Sequence, residues 1–133
     1  MADKALYDAL WAVKQKFSAE WDSETRMAWC MTNWVTNEKY PPSTFSGYNA
    51  IRFHWHHDSD GTRDVVRVYV LNIHNNKSPG EKLIHTEKQN YNFAPTSDDK
   101  TSLRKVYGNA GFKTVCVGGW EKNTDNAFTA WLN

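Results

Sequence analysis

Hydrophobic positions follow two different rhythms along this chain. Near the start, Leu6, Leu10, Val13 and Phe17 recur at a three-to-four spacing, which predicts an amphipathic helix from Asp3 to about Phe17. Asp3 is the expected N-cap. Tyr7 and Trp11 add a second apolar pair beside that stripe. The apolar arc is therefore wider than packing on one sheet requires. A second copy of the helix is the simplest partner for the surplus, so Leu6, Tyr7, Leu10, Trp11 and Val13 are the expected dimer interface.

Beyond the helix the rhythm shortens to two. In "NAIRFHWHH", Ile51, Phe53 and Trp55 alternate with Arg52, His54 and His56. In "DVVRVYVLNI", Val66, Val68 and Val70 alternate with Arg67, Tyr69 and Leu71. "MAWCMTNWV", "KLIHTE", "QNYNF", "FKTVCVGGW" and "AFTAWL" also read as strands. "YPPSTFSGY", "DSDG", "HNNKSPG", "APTSDDK" and "EKNTDN" read as loops and turns. One helix followed by about seven short strands, with turns at about 8–12-residue intervals, is the pattern of an antiparallel β-sandwich. A single domain over 1–133 is expected, with 1–18 as the dimerisation helix and 19–133 as the sandwich.

Composition narrows the function classes. Lys and Arg number 16 against 15 Asp and Glu, a formal net charge of +1. The basic residues are spread along the chain, so nucleic acid is not an expected partner. No apolar run approaches the roughly 18 residues of a membrane span. "MADKALYDAL" lacks the long apolar core of a secretory leader, and the expectation is a cytoplasmic protein, released if at all by a non-classical route. Cys30 and Cys116 are too few for a disulfide scaffold and read as buried thiols.

Aromatic residues make up 14% of the chain, with seven Trp. A core of this size needs fewer, so some serve a ligand platform or an interface. An indole face suits the C–H groups of a sugar ring while polar neighbours take its hydroxyls. Trp21, just past the helix, and Trp131, near the end of the chain, occupy edges of the expected architecture, whereas Trp29 and Trp55 fit core packing.

The sharpest alternative is a metal. His54 and His56, two apart on a strand, share a face and are spaced to chelate zinc or copper. A site needs a third ligand, for which Asp58, His74 and His85 are the candidates. The bland alternative is the wet end of a strand. There is no G-x-S-x-G, no phosphate-cradling glycine loop and no H-E-x-x-H, and Cys30 lies in an apolar context. No catalytic residue and no cofactor is therefore expected.

The order of several short matches resembles the fungal immunomodulatory proteins, small lectin-like proteins of mushrooms. Ala5-Leu6, Leu10-Trp11, Val13-Lys14, Phe17 and Trp21 match its opening helix and the segment after it. Arg67-Val68, Val70 and Gln89-x-x-Asn92-Phe93 follow. Tyr107-Gly108, Ala110, "TVCV", "NTDN", Phe128, Ala130 and Trp131 close the chain. The chain is longer than typical members, with the excess between Trp21 and Asp64, and it is richer in Cys, Met and His. The resemblance implies an immunoglobulin or fibronectin-III-like sandwich, a homodimer built through the N-terminal helix, and no enzymatic activity. It also implies binding to glycans or glycoproteins on cell surfaces, with effects on immune cells. Trp21, Thr114 and Trp131 match the family's glycan-binding positions.

Overall fold

The computed structural model describes residues 4–16, 26–36, 40–57, 63–73, 80–90, 97–117 and 127–132. Helix α1 (Ala5–Lys16) leads to α2 (Arg26–Val35) and a short 3₁₀ helix (Pro42–Phe45). Strands β1 (Ala50–His57), β2 (Arg63–Leu71) and β3 (Glu81–Asn90) come next. Helix α3 (Ser97–Asn109) precedes β4 (Thr114–Val117) and β5 (Ala127–Trp131). The strands form one five-stranded sheet in the order β3-β2-β1-β5-β4, and every neighbouring pair is antiparallel.

The antiparallel sheet agrees with the sequence pattern. The second sheet that a sandwich requires does not occur among the described residues. Helices cover one face of the single sheet instead, because two segments fold differently from expectation. "MAWCMTNWV" is not a strand but most of α2. Met27, Ala28, Met31, Thr32 and Val35 are buried, a spacing that makes one helical stripe, while Trp29, Cys30, Asn33 and Trp34 are half-buried on the other side. The polar segment at Ser97 opens α3, whose Leu103, Val106 and Tyr107 point into the core. "KLIHTE" and the start of "QNYNF" belong to one continuous strand, β3.

All three α-helices pack on the same side. Leu6, Leu10 and Val13 of α1 join the α2 and α3 residues over Ile51, Phe53, Trp55, Val66, Val68, Val70, Phe128 and Ala130 of the sheet. Each large side chain buried in this way contributes about 1.5–3 kcal/mol. This also corrects the dimer expectation. Leu6 is 1% exposed, and Leu10 and Val13 are 0% exposed, against the chain's own core. Only Tyr7 and Trp11 of the expected interface remain half-buried, their rings stacked with centroids 6.2 Å apart.

Polar contacts pin the helices and the strand ends. The Thr32 hydroxyl donates to the Ala28 carbonyl at 2.7 Å, so the buried Tyr107 hydroxyl donates to Thr32 Oγ1 at 2.6 Å. That bond joins α2 to α3. Past the end of the β1–β2 pair, the Asn49 side chain continues the ladder. Its Oδ1 accepts from the Ile73 amide at 2.8 Å and its Nδ2 donates to the Ile73 carbonyl at 2.9 Å. Gly47, at φ 85°, turns the chain into β1, and its carbonyl accepts from Asn72. In the β2–β3 ladder the register shifts between Val68 and Tyr69, so Ile84 is an extra residue on β3.

Candidate functional site

The face of the sheet that is free of helices among the described residues carries the polar residues of β1. Alternation along β1 sends Arg52, His54 and His56 to this side, away from Ile51, Phe53 and Trp55. Register then sets them beside residues of neighbouring strands. Arg52 lies opposite Tyr69 on β2 and Thr129 on β5, and Tyr69 lies opposite Leu83 on β3. One row therefore crosses four strands as Leu83, Tyr69, Arg52 and Thr129. A second row holds Thr86, Arg67, His54 and Ala127, and a third Lys88, Val65 and His56.

The first row is graded in character. Leu83, at the edge, is 48% exposed. Tyr69 is half-buried, and the Arg52 guanidinium sits 5.9 Å from its ring centroid, a cation–π contact. Arg52 is 6% exposed and donates to Glu81 Oε2 at 2.8 Å. Thr129 is fully buried. In the second and third rows Arg67 Nη1 contacts His56 Nε2, and the His54 and His56 rings are 6.1 Å apart. Burial lowers the pKa of His54 below its ordinary value, and the charges of Arg52, His56 and Arg67 lower it further, against an opposing pull from Glu81.

The expected sugar site is only partly brought together. Thr114 lies directly opposite Trp131 in the β4–β5 ladder. Trp131 itself is 7% exposed and packs with Ala50, Leu71 and Ile73 in a small apolar cluster. Its indole is therefore part of the packing at one end of the helix-free face rather than an open platform. Trp21 and the Thr114 side chain lie outside the described residues.

The metal expectation gains no third ligand among the described residues, where no group of three or more His, Cys, Asp or Glu is placed to hold an ion. His85 is on the opposite side of the sheet from His54 and His56, because it pairs with core-facing Val68. Asp58, the His57 side chain and His74 lie outside the described residues.

No family model, no curated protein and no solved structure matches this chain.

On the helix-covered side, a hydrogen-bonded chain escaped the sequence pattern. His85 Nε2 donates to Glu87 Oε1 at 2.8 Å, which fixes the tautomer and leaves Nδ1 to accept from the Tyr40 hydroxyl. Trp34 of α2 stacks on the imidazole at 6.3 Å. Burial first, and the Glu87 charge second, raise the pKa of Tyr40, so its phenol keeps its proton at neutral pH. The trio ties the segment after α2 to the edge strand β3. The i, i+2 spacing of His85 and Glu87 is visible in sequence, but Tyr40 is 45 residues away and nothing local points to it.

Proposed function

We propose that this protein is a non-enzymatic, lectin-like carbohydrate-binding module that recognises cell-surface glycans, with the helix-free face of the sheet as its ligand platform. The observation that carries this is the accessible β2–β3 corner of the face, where Leu83 and Tyr69 stand beside Thr86 and Arg67 of the next row. A pyranose has an apolar face of C–H groups and a rim of hydroxyls. Leu83 and Tyr69 offer apolar and aromatic surface at the exposed end of the row, and Thr86 and Arg67 of the neighbouring row, exposed and half-buried, offer hydrogen-bonding groups beside them. The resemblance to the fungal immunomodulatory proteins supports the same ligand class and an action on immune cells. That support concerns activity rather than architecture, since helices occupy the face where a sandwich would set its second sheet.

Within this proposal the binding residues shift from Trp21, Thr114 and Trp131 toward Tyr69 and Arg67, which are half-buried. Trp131, with Thr114 opposite it, borders the platform. A homodimer belongs to the same proposal, and on α1 it rests on Tyr7 and Trp11, which the core leaves half-buried.

Titration calorimetry against a panel of neutral and acidic oligosaccharides, on wild type and Tyr69→Ala, tests the platform. Wild type should bind a subset, and the variant should lose at least tenfold in affinity, about 1.4 kcal/mol. No binding by wild type, or equal binding by both proteins, would sink the proposal. Light scattering on Trp11→Asp tests the dimer: a monomer is expected, and an unchanged mass would remove α1 from the interface.

A further inference from the structure

Positive charge is concentrated on the polar face. Among the described strand residues on this side, Arg52, Arg63, Arg67 and Lys88 are cationic, His54 and His56 lie beside them, and Glu81 is the acid. Glu81 bonds to Arg52 at 2.8 Å. It stands near the opposite end of β3 from Lys88, roughly 20 Å away by strand rise, well beyond a screening length of about 8 Å. The chain as a whole carries only +1, so the excess on this side is local.

Two of these cations are accessible at the β2–β3 corner. Lys88 is exposed and Arg67 is half-buried. Arg67 lies opposite exposed Thr86, and Lys88 follows Thr86 on the same side of β3, which sets the two cations about 8 Å apart at their Cα atoms. The His56 imidazole accepts from Arg67 Nη1, which fixes where the guanidinium sits without removing its charge.

The outward residues of β3 run Glu81, Leu83, Thr86 and Lys88, all exposed: an acid, an apolar group, a hydroxyl and a cation, in that order. A ring seated on Leu83 and Tyr69 meets the mutually neutralised Arg52–Glu81 pair at one end and two cations at the other. An anionic substituent is drawn to the second end, so the corner gives a ligand a direction.

We infer that this corner takes an acidic saccharide, with a sugar ring over Leu83 and Tyr69 and its carboxylate or sulfate held by Arg67 and Lys88. This rests on the carbohydrate reading of the same corner, and the two can fail separately.

The decisive comparison is calorimetry at low ionic strength with a sulfated galactose trisaccharide, its desulfated parent, a glucuronate-bearing trisaccharide and inorganic sulfate. The proteins are wild type, Lys88→Gln, Arg67→Gln and Lys82→Gln. Lys82 is exposed on the same strand but pairs with core-facing Val70, so it controls for charge on the opposite side. Melting temperatures establish that each variant is folded, and Lys88→Gln alone suffices if Arg67→Gln does not fold. Wild type should bind one or both acidic sugars at least tenfold more tightly than the neutral parent. Lys88→Gln and Arg67→Gln should each lower that ratio at least threefold, and Lys82→Gln should keep it. Equal binding of acidic and neutral sugars by wild type overturns the acidic preference and leaves the carbohydrate reading standing. A ratio lowered as much by Lys82→Gln as by Lys88→Gln shows a general charge effect, and the assignment to this corner falls. It falls equally if Lys88→Gln and Arg67→Gln keep the wild-type ratio. Inorganic sulfate bound as tightly as the sulfated sugar, or binding of none of the four, removes the saccharide and the carbohydrate reading with it.

Discussion

The two faces of the sheet are made by the same strands, residue by residue in alternation, yet they obey different rules. On the helix-covered face the large side chains of β1 and β5 are apolar and buried, and the buried Tyr107 hydroxyl has its acceptor, while the Trp55 indole N–H has no hydrogen-bond partner among the described residues. On the other face Arg52, Arg67, His54, His56, Thr86, Thr129, Lys88 and Glu81 stand among a few apolar residues, and Arg52 Nε and Thr129 Oγ1 have no described partner. The first face is organised for stability. The second mixes charged, aromatic and apolar groups, with Arg52 and Thr129 buried among them. The comparison predicts that equal-sized changes on the two faces affect different measurements.

The largest effect is expected from Phe128→Ala. Phe128 is fully buried between Phe53, at 6.3 Å, and Tyr107, at 4.9 Å between ring centroids. Its loss should lower unfolding free energy by about 3–5 kcal/mol in a denaturant titration. Tyr69→Ala, across the sheet, should cost less than half of that. Equal losses would break the contrast between the faces.

Next comes the α2–α3 bond. Thr32→Val leaves the buried Tyr107 hydroxyl without its acceptor and should cost about 1–3 kcal/mol. Adding Tyr107→Phe removes the orphaned donor, so the double variant should recover most of the loss. A double variant as unstable as the sum of the two single changes would show that the pair is not coupled.

Thr129→Val is expected to have the opposite sign. The buried hydroxyl has no described partner, so a methyl group should leave stability unchanged or raise it by up to about 1 kcal/mol. A clear loss of stability would mean that the hydroxyl is already satisfied in the folded chain.

The smallest effect concerns acid. His54 on β1 faces Arg52 and His56 of its own strand, Arg67 of β2, and Glu81 and Lys88 of β3. Its folded pKa is lowered, so between that value and the unfolded value the unfolded chain binds more protons. Stability from this group is therefore present above about pH 6.5 and is lost as pH falls toward the folded pKa. His54→Gln should flatten the stability–pH curve in that window. An unchanged slope would assign it to another group.

Much of the sheet was legible in the sequence, because alternation depends on local order. Ile51, Phe53 and Trp55 face the core while Arg52, His54 and His56 face away, as the period-two pattern predicts. Helix α1 was equally plain, but the destination of its stripe was not. A wide apolar arc suits a second subunit or a core built from distant segments, and periodicity does not distinguish them. Helix α2 was misread because "MAWCMTNWV" is a nearly continuous apolar run, which fits a buried strand as well as a helix. Helix α3 was hidden by its polar opening, although Leu103, Val106, Tyr107 and Ala110 repeat at helical spacing. The row of Leu83, Tyr69, Arg52 and Thr129 combines four strands, so no single stretch of sequence displays it. The histidine pair lies on the polar face beside Arg52 and Arg67, where no third metal ligand joins it among the described residues.

The extra residue on β3 has a consequence for both halves of the molecule. Glu81, His85 and Glu87 are all odd-numbered, and on a regular strand they would point the same way. With Ile84 inserted, Glu81 reaches Arg52 on one side while His85 and Glu87 engage Tyr40 on the other. One residue acts as a parity switch, and it allows a single strand to supply acids to two separate tasks. Deleting Ile84 would force a choice between them: either Arg52 loses its carboxylate, or the Tyr40 relay loses its imidazole.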